Sequence, residues 1–456
     1  MDNKKIYLCL AHMSEAGNEL KYVKEAFDTN WVVPLGPNVD AFEAELKAYV
    51  CSDSRLADND DLSAKRVAAL NTGTSAVHLA LSTCGVQPGD EVIVQTFTFC
   101  ASAHPVMYLG ATPVFVDSER DTWNMNPELL EVAIKDRIAK TGRKPKAIVP
   151  VALYGMPYQI EHIMEVARRY DIPVIEDAAE GLGSRYKGQV LGTFGEYGVL
   201  SFNGNKMITT SGGGALICPN EEAKKRIMWL ATQAREAYPY YQHEAIGHNY
   251  RMSNVCAGIG RGQMTVLDEH IKHHQHVHDM YCELLAEVPG IKVHCQPVQG
   301  SEVSVYESNY WLSTILLDEG LKVKNEERAY TEAIQGAVGG AAGTVHGGGA
   351  VHTDCEPNRN VEAMRLALEK ENIESRPLWK PMHLQPVYCR TIENGELKKE
   401  NLSNGIICQT SATSVAYING VSESLFKRGL CLPSGPMVTD EDVKMIVQVI
   451  KDNIVG

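Results

Sequence analysis

The stretch Ser201-Phe-Asn-Gly-Asn-Lys206-Met-Ile-Thr-Thr-Ser-Gly-Gly-Gly214 holds one lysine in a run of small, polar and glycine residues. The apolar residues 215–217 come next and predict a short strand. Such small neighbours allow another group to approach the backbone closely. Lysines in partly desolvated pockets have a lowered pKa and can form a Schiff base with a carbonyl compound. The stretch therefore indicates either a catalytic lysine or an ordinary surface lysine in a glycine-rich loop.

Apolar strand patterns alternate with helical patterns over residues 66–217. The predicted strands are 68–70, 91–94, 112–117, 147–153, 173–179, 200–202 and 214–217. This alternation predicts an α/β fold with a mostly parallel sheet and helices on both of its faces. Ligands of such sheets bind at the carboxyl ends of the strands.

The first of these strand ends leads into Asn71-Thr-Gly-Thr-Ser75 and a predicted helix that begins near Ala76. Backbone N–H groups, hydroxyls and the helix dipole at such a start can bind an anion. Capping of the helix by Thr or Ser explains the same residues equally well. At the next strand end, Phe99 is either a core residue, which is the usual case, or a surface on which a flat ligand stacks.

Two carboxylates follow the strand at 173–179. Asp177 ends an apolar segment, where a carboxylate is costly unless it meets a cation or several donors. It either caps the next loop or pairs with a protonated ring nitrogen, as the pyridinium of pyridoxal phosphate requires. Glu180 has the simpler interpretation of a solvated loop acid. Asp177 and Lys206 both fall at or just after strand ends, as do Phe99 and residues 73–75. We therefore expect all of them to lie at the same edge of one sheet.

Composition excludes several classes of function. The 456 residues carry a net charge of −14, which argues against nucleic acid or an anionic membrane as the main partner. The 12 cysteines show no C-x-x-C pair, a usage typical of reduced cytosolic thiols. The start Met-Asp-Asn-Lys-Lys lacks the apolar core of a signal peptide, and no apolar run reaches membrane-spanning length. We therefore expect a cytoplasmic protein.

A histidine-rich helix is predicted after residue 265. It contains His270, His273, His274, His276 and His278. Without a clear carboxylate or cysteine partner, this pattern favours a solvated helix face over a metal site. We expect no bound metal.

The chain divides by pattern near residue 285. Residues 1–285 are predicted to form a large ligand-binding domain with an N-terminal arm, and residues 286–456 a smaller α/β domain. Additional surface loops are expected near 51–65, 336–360 and 389–420. Residues 336–349 are glycine-rich but lack Gly-Lys-Ser/Thr, so they do not predict a phosphate loop. Residues 375–383, rich in aromatic, basic and proline residues, suit a rigid binding lip.

These segments together resemble the DegT/StrS-type nucleotide-sugar aminotransferases. The matching segments are 31–43, 71–76, 96–99, 153–157, 176–180, 201–206, 249–252, 308–311, 376–383 and 428–435. The resemblance implies fold type I, with a mostly parallel seven-stranded sheet in the large domain, and a pyridoxal phosphate cofactor. It spans nearly the whole chain apart from the three expected surface loops.

The resemblance also implies roles for individual residues. Lys206 would hold the cofactor covalently, Asp177 would pair with its ring nitrogen, and Phe99 would stack on the ring. Glu180 takes the place of a Gln or His common in the family, near the ring hydroxyl. Asn249 would reach the phosphate of the neighbouring subunit, so active sites would be shared in a homodimer. The phosphate would be held by Gly73, Thr74, Ser75 and Ser201.

The activity implied is transfer of an amino group from glutamate to a nucleotide-linked keto-deoxy sugar, for surface polysaccharide synthesis. The wording of 201–214 and 376–383 is most similar to enzymes that aminate UDP-4-keto-6-deoxy-N-acetylhexosamine. Alternatives are the same chemistry on a dTDP-linked 3-keto or GDP-linked 4-keto sugar, or a non-catalytic regulatory protein on this scaffold. A related sugar dehydratase is disfavoured because it would carry His where this chain has Lys206. An oxidoreductase is disfavoured because no Gly-x-Gly-x-x-Gly follows the first strand.

Overall fold

The computed structural model describes residues 4–52, 60–298, 305–327, 356–390 and 397–455. Residues 336–355 of the loop expected near 336–360 therefore lie outside the described residues, as do residues 53–59 of the loop expected near 51–65. Its helices are α1 (Asn18–Asp28), α2 (Pro37–Val50), α3 (Asp60–Ala64), α4 (Gly73–Thr83), α5 (His104–Tyr108), α6 (Pro127–Thr141), α7 (Ile160–Tyr170), α8 (Glu221–Ala231), α9 (Asn254–Met264), α10 (Leu267–Leu285), α11 (Arg359–Lys370), α12 (Val421–Arg428) and α13 (Asp440–Asn453).

The strands of the amino-terminal half agree with the alternating pattern of the sequence. They are β1 (Arg66–Leu70), β2 (Glu91–Gln95), β3 (Thr112–Val116), β4 (Ile148–Val149), β5 (Ile175–Asp177), β6 (Arg185–Tyr186), β7 (Gln189–Val190), β8 (Tyr197–Ser201) and β9 (Gly214–Cys218). The strand predicted at 147–153 is shorter than expected, because a 3-10 helix begins at Leu153 and Tyr154 has a left-handed φ of 55°.

The large sheet has the strand order β1-β9-β8-β5-β4-β2-β3. Parallel bridges Ile148↔Val174 and Val151↔Asp177 join β4 to β5. The pairs β5–β8, β2–β4 and β2–β3 are parallel, while β9 runs antiparallel to both β1 and β8. The predicted mostly parallel sheet is confirmed, with β9 as the reversed strand.

Both faces of this sheet are buried, as parallel sheets require. Along β1, Val67 and Ala69 join one apolar cluster, while Ala68 and Leu70 join the other. The first cluster includes side chains of α2, α6 and α7, and the second includes those of α4 and α8. The strands therefore have largely apolar sequences, and most of their polar residues lie at the ends, with the buried Glu176 of β5 as an exception.

The carboxyl-terminal half contributes the remaining strands. They are β10 (Ile291–Val293), β11 (Tyr306–Glu307), β12 (Ser313–Leu317), β13 (Arg376–Pro377), β14 (Lys398–Asn401), β15 (Ile407–Thr410), β16 (Val415–Ile418) and β17 (Gly429–Leu432). An antiparallel sheet of order β10-β12-β17-β13 packs against α10, α11 and α13 through a third apolar cluster. The domain boundary at residue 285 stays a prediction.

The expectation of a surface loop near 389–420 is wrong for residues 398–418. These residues form β14, β15 and β16, and β16 pairs in parallel with β3 at the edge of the large sheet. Val415 and Tyr417 are buried in the apolar cluster of one sheet face. The Asn-, Thr- and Ser-rich composition suggested a loop, but it is typical of an edge strand with one solvated side, as the exposed β14 shows. The sheet is therefore wider than the seven strands that the family resemblance implies.

The histidine-rich helix is α10, and its interpretation as a solvated face is wrong for three of its histidines. His270, His274 and His278 are buried, and His276 is exposed beside Asp440. A spacing of four residues places the buried three on one face, which packs against the protein. Among the helices of the described ranges, none combines the length and apolar character needed to span a bilayer.

Candidate active site

A cavity of about 350 Å³ opens at the carboxyl ends of β1, β5 and β8. The residues that line it include Gly73, Phe99, Asp177, Ser201 and Lys206. The strand-end prediction is therefore confirmed in its geometry: residues far apart in the sequence meet at one edge of one sheet.

Lys206 extends into this cavity between a carboxylate and an aromatic ring. Its Nζ lies 3.2 Å from Oε1 of Glu180 and 4.1 Å from the ring centroid of Trp311. The Trp311 indole N–H donates to the carbonyl of Asn205, 2.6 Å away, which fixes the ring. The Lys206 side chain is only 13% exposed. The lysine is thus partly desolvated, and the interpretation as an ordinary surface lysine is wrong.

Asp177 is buried at the end of β5 and held by hydrogen bonds. Ser102 Oγ donates to Oδ2 at 2.5 Å, and the Ala179 N–H donates to Oδ1 at 3.2 Å. Burial raises the pKa of Asp177, and the Ser102 hydrogen bond and the Lys206 charge oppose that rise. A cation placed in the cavity would restore the charged form, so Asp177 is suited to hold a protonated nitrogen.

Glu180 is buried rather than solvated, so its interpretation as a loop acid is wrong. Its Oε2 accepts a hydrogen bond from the Tyr154 N–H at 2.7 Å. The Tyr154 hydroxyl in turn accepts a hydrogen bond from the backbone N–H of Trp379, 2.9 Å away. Burial raises the pKa of Glu180, and the charge of Lys206 counteracts it. The left-handed Tyr154 thus connects the carboxylate beside Lys206 to the predicted lip at 375–383.

The amino terminus of α4 forms another wall of the cavity. Thr72 caps the helix by accepting from the Ser75 N–H at 3.0 Å, and Gly73 and Thr74 line the cavity. The Ser75 hydroxyl donates to Oδ1 of Asn71 at 2.7 Å, and Ser75 is buried under the helix start. The capping interpretation of this segment is confirmed, and the first turn of α4 borders the cavity through Gly73 and Thr74. Anion binding there stays a prediction. The phosphate contacts of Gly73, Thr74, Ser75 and Ser201 stay a prediction.

Gly214 brings the lysine segment against this helix start. A Cβ on Gly214 would lie 2.4 Å from the backbone N of Gly73 and the backbone carbon of Thr72. Gly204, in the same segment, has open space at the equivalent position.

We expect Gly214→Ala to lower the free energy of unfolding by about 1–3 kcal/mol, because backbone must move to admit the methyl group. Gly204→Ala is the matched control and should change it by less than about 1 kcal/mol. Urea unfolding monitored by circular dichroism measures both. Equal stability of the two variants would contradict this packing.

Phe99 is 57% exposed and lines the cavity, whereas Phe97, two residues earlier, is fully buried. The default interpretation of Phe99 as a core residue is therefore wrong, and the ring is available for stacking. Both residues lie beyond the end of β2 at Gln95, where the chain bends, so the two-residue spacing that would place them on one face of a strand does not apply.

Asn249 does not meet the other predicted residues within one subunit. It is exposed, pairs with Thr232 in an antiparallel bridge, and its carbonyl accepts from the Asn71 side chain at 3.4 Å. Within the described ranges it is not part of the cavity wall. Its predicted role in a neighbouring subunit stays a prediction.

The sequence did not single out Ser102, Trp311 or Trp379 as members of the site. Trp379 falls in the predicted lip, and Trp311 falls in a segment of the family resemblance, so both had a signal. Ser102 had none, because a serine three residues after Phe99 is ordinary until β5 brings Asp177 beside it.

These residues fit pyridoxal phosphate. The cavity presents an amine on Lys206, a buried carboxylate on Asp177 for a ring nitrogen, an exposed ring on Phe99 and a helix amino terminus for a phosphate. Apart from its phosphate, such a cofactor needs a flat slot, and the cavity volume and aromatic walls are of that kind.

Comparison with known proteins gives the same answer. Residues 13–346 match the model of the DegT/DnrJ/EryC1/StrS aminotransferase family. The chain is 40% identical over 448 residues to a putative pyridoxal phosphate-dependent aminotransferase, EpsN, of Bacillus subtilis, covering 98% of this chain and 95% of that one. It is 30% identical over 446 residues to a GDP-perosamine synthase of Escherichia coli O157:H7, covering 98% of each chain.

A crystal structure of a DegT DnrJ EryC1 StrS aminotransferase from Brucella abortus superposes with a TM-score of 0.74 at 26% identity, covering 96% of this chain and 95% of that chain. The fold, the cavity and the family model agree. The chain belongs to the DegT/DnrJ/EryC1/StrS aminotransferase family and is a pyridoxal phosphate-dependent aminotransferase.

Proposed function

We propose that this enzyme transfers an amino group from glutamate to a nucleotide-linked keto-deoxy sugar, namely UDP-4-keto-6-deoxy-N-acetylhexosamine, in the cytoplasm for surface polysaccharide synthesis. The observation that supports transamination most directly is the position of Lys206 and Asp177 on the wall of one cavity. A binding protein needs neither a desolvated amine nor a buried carboxylate facing the ligand.

The residues divide the work between charge and proton transfer. Lys206 Nζ would hold the cofactor between turnovers and, once freed by the amino donor, would move the proton from the donor's α-carbon. Asp177 would keep the ring nitrogen protonated through its carboxylate. Glu180, 3.2 Å from Nζ, would hold the Lys206 proton when the amine is not engaged. Pyridoxal phosphate itself, when bound, supplies a carrier for the amino group and a ring that withdraws electrons.

The aromatic residues would orient the reactants and exclude water. Phe99 would offer a face to the cofactor ring, and the Trp311 ring covers the lysine, with its centroid 4.1 Å from Nζ. Trp379 lines the same cavity from the lip at 375–383. The walls around Lys206 would exclude water from the reacting atoms.

The amino-acid sequences of 201–214 and 376–383 support the UDP-linked 4-keto sugar, because they are most similar to those of enzymes that aminate it. A GDP-linked sugar is the second candidate, because the relative that is 30% identical over 98% of this chain is named a GDP-perosamine synthase.

The experiment that separates the candidates is a comparison of kcat/KM for glutamate-dependent amination of three acceptors. These are the UDP-linked 4-keto-N-acetyl sugar, a GDP-linked 4-keto sugar and a dTDP-linked 3-keto sugar. The proposal expects the UDP sugar to be preferred by at least about 100-fold, because a site that hydrogen-bonds one substrate discriminates strongly against an analogue that leaves those groups unpaired. Preference for the GDP or dTDP sugar would replace the substrate, and no amination of any acceptor would refute the proposed class.

We also propose a homodimer with shared active sites, in which Asn249 reaches the partner's phosphate site. Its exposed position outside its own cavity supports such a contact, as do the exposed apolar side chains of Trp31, Val33 and Ile246.

Complementation between inactive subunits tests the shared site. Lys206→Ala and Asn249→Ala homodimers should each lose most activity. After the two are mixed and subunits exchange, activity should recover to about a quarter of wild type, since half of the dimers then hold one intact site of two. Lys206→Ala mixed with itself is the control, and no recovery in the exchanged sample would contradict sharing through Asn249.

A further inference from the structure

Three side chains of types that bind metals meet beside the carboxyl-terminal half of α10, outside the catalytic cavity. His278 Nε2 lies 3.3 Å from Cys282 Sγ, and Cys282 Sγ lies 3.3 Å from Cys295 Sγ. All three ligand atoms lie within 4.8 Å of one another. No step of the proposed reaction uses any of them.

The fold holds these side chains from two directions. His278 and Cys282 are four residues apart on one face of α10, and Cys295 follows β10 by two residues. The His278 ring stacks on Tyr310, with centroids 3.6 Å apart and planes at 7°. The Tyr310 hydroxyl accepts from the Gln296 N–H at 3.1 Å, so the stack is itself anchored beside Cys295.

The protein fixes the orientation of the His278 ring by stacking, but within the described residues it does not give both ring nitrogens a hydrogen-bond partner. His278 is only 2% exposed, and within the described residues its Nδ1 has no hydrogen-bond partner. The Nε2 atom points at two thiols, which are weak hydrogen-bonding groups but strong ligands for a soft cation.

The distances suit a thiophilic divalent cation. Zn²⁺ binds Cys sulfur at about 2.3 Å and His nitrogen at about 2.0–2.1 Å, so tetrahedral ligand atoms lie roughly 3.5–3.8 Å apart. The two observed separations of 3.3 Å need only small movements to reach that range.

We propose that His278, Cys282 and Cys295 form a Zn²⁺ site with a water molecule as the fourth ligand on the exposed side of Cys295. The ion would clip α10 to β10 across the predicted domain boundary at residue 285. The sequence predicts no metal here, because the histidine-rich helix shows no clear carboxylate or cysteine partner. Cys282 lies on the same helix, and the fold supplies Cys295 from thirteen residues further along the chain.

The test uses the reduced, cofactor-loaded enzyme titrated with Co²⁺ and then Zn²⁺. The proposal expects one Co²⁺ per chain, with a thiolate-to-metal charge-transfer band and tetrahedral d–d bands at longer wavelength than the cofactor absorbs. Zn²⁺ should displace Co²⁺ and raise the Tm. Co²⁺ binding should weaken by more than about 100-fold in each of Cys282→Ser, Cys295→Ser and His278→Ala. Loss of a group that only supports a ligand costs up to about 100-fold, and loss of a direct ligand should cost more.

Two variants distinguish this site from general chelation. His276→Ala removes an exposed histidine of the same helix, and Cys256→Ser removes a thiol of α9, so both should keep the full cobalt spectrum. The visible band of bound pyridoxal phosphate checks that every variant is folded. A cobalt spectrum that survives Cys282→Ser and Cys295→Ser would overturn the proposal. So would reduced enzyme that binds neither ion, including enzyme isolated with a Cys282–Cys295 disulfide.

Discussion

Lys206→Ala is expected to lower the rate of transamination by about 10³-fold or more. The change removes both the amine that holds the cofactor and the group that moves the proton, and proton transfer alone contributes about 10²–10⁴-fold in enzymes. The measurement is glutamate-dependent amination under saturating pyridoxal phosphate, together with the visible absorption of the bound cofactor. Near wild-type activity in this variant would remove Lys206 from the mechanism.

Stability needs a separate control, because Lys206→Ala leaves the buried Glu180 without its cation. Burial already raises the pKa of Glu180, so the folded protein holds its proton to higher pH than the unfolded chain does. The free energy of unfolding of the variant should therefore fall as pH rises above the ordinary carboxyl pKa. Adding Glu180→Gln should reduce this pH dependence to the part that comes from Asp177, whose pKa burial also raises, while the double variant stays inactive. Activity regained in the double variant would contradict the catalytic assignment.

Asp177→Asn is expected to lower kcat by about 10²–10³-fold, the range found when one preorganised electrostatic contact is lost. The substitution preserves shape and one oxygen that can accept from Ser102, but it removes the negative charge that would hold the ring nitrogen's proton and the second oxygen that accepts from the Ala179 N–H. The kcat and KM for glutamate should be measured with the spectrum of the bound cofactor, whose protonation state should change.

Ser102→Ala is the matched control for Asp177. It keeps the charge and removes one hydrogen bond to a carboxylate, so we expect about a ten-fold loss, or about 1.5 kcal/mol. Loss through Ser102→Ala as large as that through Asp177→Asn would mean that position, rather than charge, is what the reaction needs.

The positions of the catalytic groups could be predicted because parallel strands impose a common edge. Asp177 and Lys206 are 29 residues apart in the sequence, yet both follow strands of one sheet and line one cavity. The alternation of strand and helix patterns fixes that edge without any knowledge of side-chain contacts.

Environment was harder to predict than position. Glu180 resembled a solvated acid and Phe99 a core residue, and both were the reverse. The sequence around Glu180 cannot show that it accepts a hydrogen bond from the Tyr154 N–H. That contact comes from a residue 26 positions earlier, which adopts a left-handed backbone conformation. The buried histidines of α10 failed for a related reason: polar side chains at helical spacing indicate a face but not what covers it.

The contacts that join distant segments had no local signal. Residues 398–418 carry loop-like composition, and only pairing of β16 with β3 makes them part of the large sheet. Ser102 gains its role from Asp177, and Cys295 gains its neighbour from α10. In each case tertiary contact decides what the residue does, and residue type alone left several interpretations open.

The central claim is that Lys206 and Asp177 carry out transamination of a UDP-linked 4-amino sugar. Its most direct test loads the enzyme with pyridoxal phosphate and adds UDP-4-amino-6-deoxy-N-acetylhexosamine without any keto acid. We predict loss of the yellow cofactor band and formation of one pyridoxamine phosphate per active site, and no such change in Lys206→Ala. A wild-type protein that never turns yellow, or one that stays yellow with every amino sugar nucleotide and with glutamate, would contradict the account.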